Sequence, residues 1–151
     1  MNDMLGNWAV TRKPHRRWRR AANLRHGYTT AACAAAAAVA ATQTLLGQTV
    51  AQVIIDLPAE KKATFALARC ERGENQVTCS TIKDAGDDPD VTHGAEICAT
   101  VAWTETPGIT LTGGEGVGIV TRPGLPVQVG EPAINPGPRR LIVRAVEAAA
   151  G

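Results

Sequence analysis

The distribution of hydrophobic residues predicts a helix near the start of the chain. The run from Ala31 to Leu46 is almost continuously small and apolar, and nine of its first eleven residues are alanine. Alanine has the highest helix propensity, Thr29 or Thr30 is a suitable N-cap, and Gly47 stands where a C-terminal glycine belongs. Because alanine side chains are small, a sheet or a second helix can approach the backbone of such a helix closely.

Further along the chain, apolar and polar residues alternate with the period of two that is typical of strands. A second helix is predicted to begin at Asn135, an N-cap followed by Pro136 at the first helical position, and to run to the chain end. The composite pattern predicts an α+β fold, in which a mixed or antiparallel sheet of about five or six strands packs against an alanine-rich N-terminal helix and a C-terminal helix as a two-layer sandwich. The predicted strands are Val50–Leu57, Thr64–Arg69, Gln76–Ile82, Glu96–Thr104, Ile109–Thr112 and Val117–Thr121.

The acidic loop (residues 82–96) joins two of these strands and carries the densest cluster of ionisable groups. Gly86, Pro89 and Gly94 exclude a regular element through its middle. A solvated acidic turn is one interpretation, because charged clusters usually lie at the surface. A functional loop is the other, because like charges held this close repel each other and loops commonly carry function. The ionisable residues are Lys83, Asp84, Asp87, Asp88, Asp90, His93 and Glu96.

A glycine cluster over residues 113–118 matches the dinucleotide-binding fingerprint only in part. The third glycine of that fingerprint would fall on Ile119, and a strand and turn, rather than a helix, are predicted to follow. The usual helix N-terminus for an anionic ligand is therefore missing. The glycines do permit close approach of the backbone to a ligand, with Glu115 at the tip. A hairpin with strained turn positions is the alternative.

Metal sites and common catalytic motifs are not predicted. The segment 88–93 fails the calcium-loop pattern because Thr92 and His93 occupy its fifth and sixth positions, and no second histidine lies near His93. There is no G-x-S-x-G motif or Ser-His-Asp order. The cysteines lack C-x-x-C spacing and are predicted to be reduced, half-buried residues of a cytoplasmic protein. They are Cys33, Cys70, Cys79 and Cys98.

The first 26 residues differ in composition from the rest and are predicted to form a basic, disordered extension to a domain over residues 27–151. They contain seven Lys and Arg residues against the single acid Asp3. An RNA-binding arm that includes Trp18 is an alternative. The net charge of +2 does not otherwise favour a nucleic-acid partner. No membrane span is predicted, because the longest apolar run, residues 31–41, is far shorter than the roughly 20 residues required.

Four motifs, in the same order along the chain, resemble one protein family. They are Leu24–Thr30 followed by Cys33-Ala34-Ala35; Lys83–Gly94; Leu111–Gly118 with Val120–Pro126; and Gly130–Pro136 with Pro138-Arg139-Arg140. The chain resembles the cobalt-precorrin-5B C(1)-methyltransferases of the anaerobic cobalamin pathway, the CbiD family. It departs from them at Ala31-Ala32, where members usually have Gly followed by Thr or Ser. Family chains also continue for roughly as long again, so the resemblance is to their N-terminal domain.

The resemblance implies an S-adenosylmethionine-dependent methyl transfer to C(1) of cobalt-precorrin-5B, giving cobalt-precorrin-6A, by a truncated or split form of the enzyme. The partners it implies are the cobalt-precorrin tetrapyrrole, and a second copy of the chain or the missing C-terminal half. S-adenosylmethionine is the methyl donor, and no protein-bound metal is expected. A non-catalytic tetrapyrrole- or partner-binding module without turnover is the alternative.

The candidate site residues lie in the acidic loop, in the glycine cluster and at the two helix starts. The Asp and Glu side chains could accept or donate a proton at the ring, or attract the cationic donor. Arginines and helix N-termini could bind the carboxylates of the macrocycle. We expect Asp87, Glu115 and Asn135 to lie on one face. The catalytic candidates are Asp84, Asp87, Asp88, His93 and Glu115, and the binding candidates are Tyr28, Thr29, Thr30, Gly114, Gly116, Arg122, Asn135 and Arg139.

Overall fold

The computed structural model of the protein describes residues 25–151. These residues form two helices and five strands, and the predicted α+β class is confirmed. Strands β1 and β2 form one antiparallel pair, and β3, β4 and β5 form a three-stranded antiparallel sheet in that order. The strands thus divide into two small sheets. The elements are α1 (Thr30–Leu45), β1 (Gln52–Leu57), β2 (Lys61–Ala66), β3 (Arg69–Arg72), β4 (Gln76–Ile82), β5 (Glu96–Ala102) and α2 (Pro136–Ala150).

Helix α1 is the centre of the core, as its alanine run predicts. The Thr29 side chain caps its start by accepting a hydrogen bond from the backbone N–H of Ala32 at 3.1 Å. Residues along almost its whole length are buried, and it packs against β1, β3, β4, β5 and α2. The small side chains make this possible, because several elements can approach one helix only where its surface is thin.

The predicted strand Thr64–Arg69 is wrong in its bounds, because the chain changes sheets in its middle. The backbone N–H of Leu67 donates to the carbonyl of Ala51, which precedes β1, whereas that of Ala68 donates to the carbonyl of Ser80 in β4. Residues before this point therefore belong to β2, and Arg69 begins β3. Residues 73–75 connect β3 to β4.

Two further predicted strands, Ile109–Thr112 and Val117–Thr121, are also wrong. Residues 103–135 contain no regular element; an isolated bridge joins Ile119 to Pro132. Around this bridge, the Val120 N–H donates to the Glu131 carbonyl, the Gly130 N–H donates to the Val120 carbonyl, and the Ala133 N–H donates to the Gly118 carbonyl. The two predicted segments do not form strands because neither has a neighbouring strand along its whole length to pair with. Glycines and prolines in this region also interrupt a continuous ladder of backbone hydrogen bonds.

Helix α2 begins where Asn135 and Pro136 predict, although the Asn135 side chain makes no capping hydrogen bond. Its buried residues, Ile142 and Val146, are four positions apart and so lie on one face. This face packs against α1. In the part of the chain that the structure describes, neither helix has the length and apolar character needed to cross a membrane.

The prediction that all four cysteines are reduced is wrong for one pair. Cys70 and Cys79 lie directly opposite each other on β3 and β4, and their sulfur atoms form a disulfide. Side chains directly opposite on an antiparallel pair are close neighbours, so hairpin register brings together two cysteines that no short motif connects. Cys33 is free and buried, and Cys98 is free and exposed.

Candidate functional site

A buried lysine fixes the acidic loop to the start of α1. Lys83 is only 4% exposed, and its Nζ donates hydrogen bonds to Thr30 Oγ1 at 3.0 Å, to Thr92 Oγ1 at 2.6 Å and to Asp90 Oδ2 at 2.6 Å. Thr30 is the first residue of α1, while Thr92 and Asp90 belong to the loop. A charged group this deep in a protein requires such partners. Loop and helix start are therefore held as one unit.

Asp90 is the anionic partner of this lysine and is locked within the loop. Its Oδ1 accepts hydrogen bonds from the Thr92 backbone N–H at 2.8 Å and from the Thr92 hydroxyl at 2.6 Å. The hydrogen bond from Lys83, followed by those from Thr92, holds the pKa of Asp90 far below its ordinary value. Asp90 is thus ionised at neutral pH, and its bonds support the loop rather than offering a proton acceptor.

The lowered pKa of Asp90 predicts a pH-dependent contribution to stability. A carboxyl whose pKa is lower in the folded than in the unfolded protein stabilises the fold above the unfolded pKa, here 3.8, and loses that contribution as pH falls below it. We therefore expect the difference in unfolding free energy between the wild type and Asp90→Asn to narrow from about pH 5 to about pH 3. Urea unfolding at a series of pH values measures it.

The matched control is Asp88→Asn, because the Asp88 side chain makes no hydrogen bond within residues 25–151. The lowered pKa values of Asp84 and Glu96 make every variant lose stability in acid, so only the difference between variants is informative. A difference between the wild type and Asp90→Asn that stays constant with pH would contradict the prediction.

Arg25 binds the other side of the acidic loop. Its guanidinium forms an ion pair with Asp84, and its backbone N–H donates to Asp87 Oδ2 at 2.6 Å. The Arg25 side chain, with the Gly86 backbone N–H as a further donor at 2.8 Å, lowers the pKa of Asp84. Residues 1–24 of the predicted basic extension lie outside the described residues, so the extension stays a prediction. Arg25, which that prediction included, contacts the loop.

Two glycines permit the backbones of residues 25–28 and 84–87 to touch. A Cβ on Gly27 would lie 1.9 Å from the carbonyl carbon of Ala85. Gly86 has a φ of +64°, and a Cβ there would lie 2.2 Å from the carbonyl oxygen of Arg25. The contact continues to Tyr28, whose backbone N–H donates to the Asp84 carbonyl at 2.8 Å. No side chain fits between these segments, so both positions require glycine.

His93, a predicted catalytic residue, is oriented by the loop backbone. Its Nδ1 accepts a hydrogen bond from the Ala85 backbone N–H at 3.0 Å and lies 3.9 Å from Asp84 Oδ1. A nitrogen that accepts a hydrogen bond carries no proton, so in this arrangement the ring is the neutral tautomer with its proton on Nε2. The Nε2–H is then the group that His93 can offer to a ligand.

A groove of about 1020 Å³ lies between α1, β1 and α2, and we call it the basic groove. Residues 27–29, Lys61, Arg140 and Arg144 are among its lining residues, and Tyr28 is hydrogen-bonded through its backbone N–H to Asp84 of the acidic loop. The ring of Tyr28, also a lining residue, packs against Phe65 with 4.7 Å between centroids. The predicted binding residues Tyr28 and Thr29 thus belong to this groove, while Thr30 binds Lys83.

Among residues 25–151, the remaining predicted site residues are not joined to the acidic loop by a side-chain hydrogen bond or ion pair. Within residues 25–151, no hydrogen bond or ion pair connects the side chains of Glu115, Arg122 or Asn135 with the loop. The Arg139 guanidinium donates to the Leu111 carbonyl at 3.3 Å instead. A common face for Asp87, Glu115 and Asn135 therefore stays a prediction, as do ligand contacts at Gly114 and Gly116.

The described residues include no group of three or more His, Cys, Asp or Glu side chains arranged to hold a metal ion. The expectation that no metal is bound stays a prediction.

The most important residue that the sequence analysis missed as a site residue is Lys83. Strand alternation carries the signal: Val77, Cys79 and Thr81 are buried on one side of β4, and Lys83 is two residues further on. Extending the period of two past the end of the strand would have placed the lysine inside. Arg144 was missed for a different reason, since its place in the groove depends on how α2 packs.

These features define an α+β domain in which an acidic loop is fixed to a helix start, with a basic groove beside it. Comparison with known proteins identifies the family. The CbiD family model matches residues 17–151, and the chain belongs to the CbiD family. No solved structure matches the chain.

Curated relatives are named Cobalt-precorrin-5B C(1)-methyltransferase. The protein from Salinispora arenicola is 56% identical over 124 residues, which cover 82% of this chain and 33% of the relative. The Geobacillus thermodenitrificans protein is 54% identical over the same shares, and that from Paramagnetospirillum magneticum is 56% identical over 84% of this chain and 36% of the relative. The chain therefore spans about a third of the length of these relatives. The motifs had led us to expect about half.

Proposed function

We propose that this chain provides the substrate-binding part of a C-methyltransferase that transfers a methyl group from S-adenosylmethionine to C(1) of cobalt-precorrin-5B, giving cobalt-precorrin-6A. The observation that carries the proposal is the 54–56% identity to proteins of that name across 82% of the chain. Because the chain spans about a third of those relatives, the complete reaction is proposed for this chain acting together with a region equivalent to the rest of them.

The acidic loop suits the neighbourhood of a cationic methyl donor. S-adenosylmethionine, when bound, supplies a methyl group already activated by a positively charged sulfonium. Asp87 and Asp88 are exposed carboxylates on the loop, and such groups attract a cation and help to orient it. Asp84, whose pKa Arg25 lowers, is a weak proton acceptor. We therefore assign the loop to binding and alignment of the donor rather than to general base catalysis.

The rigidity of the loop supports this assignment. Lys83 holds it from the helix side, and the Arg25 backbone holds Asp87 from the other side. Alignment of two reactants contributes to rate only when the groups that position them are themselves fixed. His93, with Nδ1 occupied by the Ala85 N–H, can donate from Nε2 to either ligand.

A chimeric enzyme tests the proposed function. Residues 25–151 of this chain replace the matching segment of the Salinispora arenicola protein, and transfer of a labelled methyl group from S-adenosylmethionine to cobalt-precorrin-5B is followed by mass spectrometry. We expect a product heavier by one methyl substitution, as for the unaltered Salinispora arenicola protein. A chimera that folds but yields no product, while the unaltered relative does, would contradict the proposal and favour a binding module without turnover.

Asp87→Asn in this chimera is expected to lower kcat/KM by about tenfold, mainly through a higher KM for S-adenosylmethionine, because one attractive charge near the donor is lost. The matched control is Glu105→Gln, an exposed acid outside the loop, which should leave kcat/KM unchanged. Steady-state kinetics and a melting curve for each variant make the comparison. Equal kinetics for Asp87→Asn and the wild type would remove Asp87 from the site.

A further inference from the structure

We propose that the basic groove is the binding site for the tetrapyrrole itself, with Arg140, Arg144 and Lys61 binding carboxylate side chains at the edge of the macrocycle. The inference rests on the proposed function, from which it takes the class of substrate. It goes further by separating two neighbouring sites: a polyanionic macrocycle in the groove and the cationic donor at the acidic loop.

The size and lining of the groove suit a flat, largely apolar ring. Its volume of about 1020 Å³ is at the upper end of the roughly 300–1,000 Å³ common for small-molecule sites. Between the charged residues it is lined by small or aliphatic side chains from both helices, including Ala31, Val39, Leu141 and Ala145. Removing this apolar surface from water makes a favourable contribution to the free energy of binding a macrocycle.

Charge distinguishes this groove from an ordinary apolar cleft. Arg140 and Arg144 are exposed, four residues apart on α2, and so project on the same side of the helix. Lys61, at the start of β2, also lines the groove. Asp56 is the acidic residue of its lining, and its Oδ1 already accepts a hydrogen bond from Lys62 at 2.9 Å. The groove is therefore electropositive, and arginine binds carboxylates with well-defined two-point geometry.

The acidic loop is the wrong surface for the macrocycle, although the two sites adjoin. Several carboxylates on the loop would repel a substrate that carries carboxylates of its own. The groove and the loop meet at Tyr28, which lines the groove and whose backbone N–H donates to the Asp84 carbonyl. A ring in the groove would thus lie beside a donor held at the loop, as transfer between them requires.

Equilibrium binding to the full chain tests this inference, with a cobalt corrinoid whose peripheral side chains are all free carboxylic acids (cobyrinic acid) as the probe. Its visible absorption is followed as protein is added. We expect Arg144→Gln to weaken binding about tenfold and Arg140→Gln/Arg144→Gln by about a hundredfold, because each loses a charge-assisted contact. The fully esterified corrinoid should bind the wild type weakly and show no dependence on these arginines.

Two controls lose the same charge elsewhere. Arg72→Gln, at the end of β3, matches the single variant, and Arg16→Gln/Arg17→Gln, in the basic N-terminal segment, matches the double variant. Both should bind the free-acid corrinoid as the wild type does. The inference is overturned if these controls weaken binding as much as the groove variants, if the groove variants bind as tightly as the wild type, or if the wild type does not bind.

The outcomes also separate this inference from the proposed function. Arginine-dependent binding of the free-acid corrinoid together with an inactive chimera would support the groove and contradict methyl transfer. An active chimera whose KM for cobalt-precorrin-5B is unchanged by Arg140→Gln/Arg144→Gln would support methyl transfer and overturn the groove. Melting curves for each variant ensure that folded proteins are compared, and since Arg140 and Arg144 are exposed, both variants should fold.

Discussion

Replacing Lys83 with methionine is expected to lower the melting temperature by roughly 10 °C, the largest effect of any single polar substitution in the domain. Methionine keeps an unbranched apolar stem but loses the charge. Hydrogen bonds from a charged group contribute about 1.5–3 kcal/mol each, and Lys83 makes two of them to the neutral hydroxyls of Thr30 and Thr92. Asp90 also loses its cationic partner. Circular dichroism at increasing temperature measures the change.

Lys62→Met is the matched control for Lys83→Met. Lys62 also pairs with an aspartate, Asp56, at 2.9 Å, but the two side chains are 73% and 79% exposed. Ion pairs at the surface contribute little because water and salt screen them. We therefore expect Lys62→Met to melt close to the wild type. Equal melting temperatures for the two lysine variants would show that Lys83 does not hold the loop to α1.

Gly27→Ala is expected to destabilise the contact between residues 25–28 and the acidic loop by about 3 kcal/mol or more. The added Cβ would lie 1.9 Å from the Ala85 carbonyl carbon and 2.3 Å from both the Ala85 oxygen and the Gly86 nitrogen. All three are backbone atoms, which cannot move aside as a flexible side chain would. The strain must be relieved by separating the two segments or by unfolding.

Hydrogen exchange distinguishes these two ways of relieving the strain. The Tyr28 amide donates to the Asp84 carbonyl at 2.8 Å, so it should lose protection in either case, whereas amides in the middle of α1 lose protection only on unfolding. The control is Gly114→Ala, because a Cβ on Gly114 meets nothing within 4 Å. Protection of the Tyr28 amide that is the same in Gly27→Ala and in the wild type would contradict the described contact.

Elements encoded by neighbouring residues were predicted well from the sequence. Helix α1 follows from its alanine run and the Thr29 cap, and α2 follows from the Asn135-Pro136 start, because caps and propensities act within one turn. The strand predicted over Ile109–Thr112 failed because a strand also needs a partner, and pairing depends on residues far along the chain. The division into two sheets at Leu67 and Ala68 is non-local in the same way.

The candidate site shows the same division between local and non-local information. Glycines and a proline marked the acidic loop in the sequence, since they exclude regular structure locally. The basic groove had no such signal: Arg140 and Arg144 line it together with Lys61 only because α2 packs on α1 beside β1. The disulfide of Cys70 and Cys79 likewise depends on the register of β3 and β4. Packing, rather than propensity, assembles these features.

If the chain holds two ligands of opposite charge at two adjoining places, each ligand should perturb a different set of residues, and nuclear magnetic resonance can follow both. Isotope-labelled protein is titrated with the free-acid corrinoid and, separately, with S-adenosylmethionine. We expect the corrinoid to shift the backbone amide signals of residues 28–32 and 139–145, and S-adenosylmethionine to shift those of residues 84–94. Corrinoid-induced shifts confined to the acidic loop, with none along α2, would contradict it.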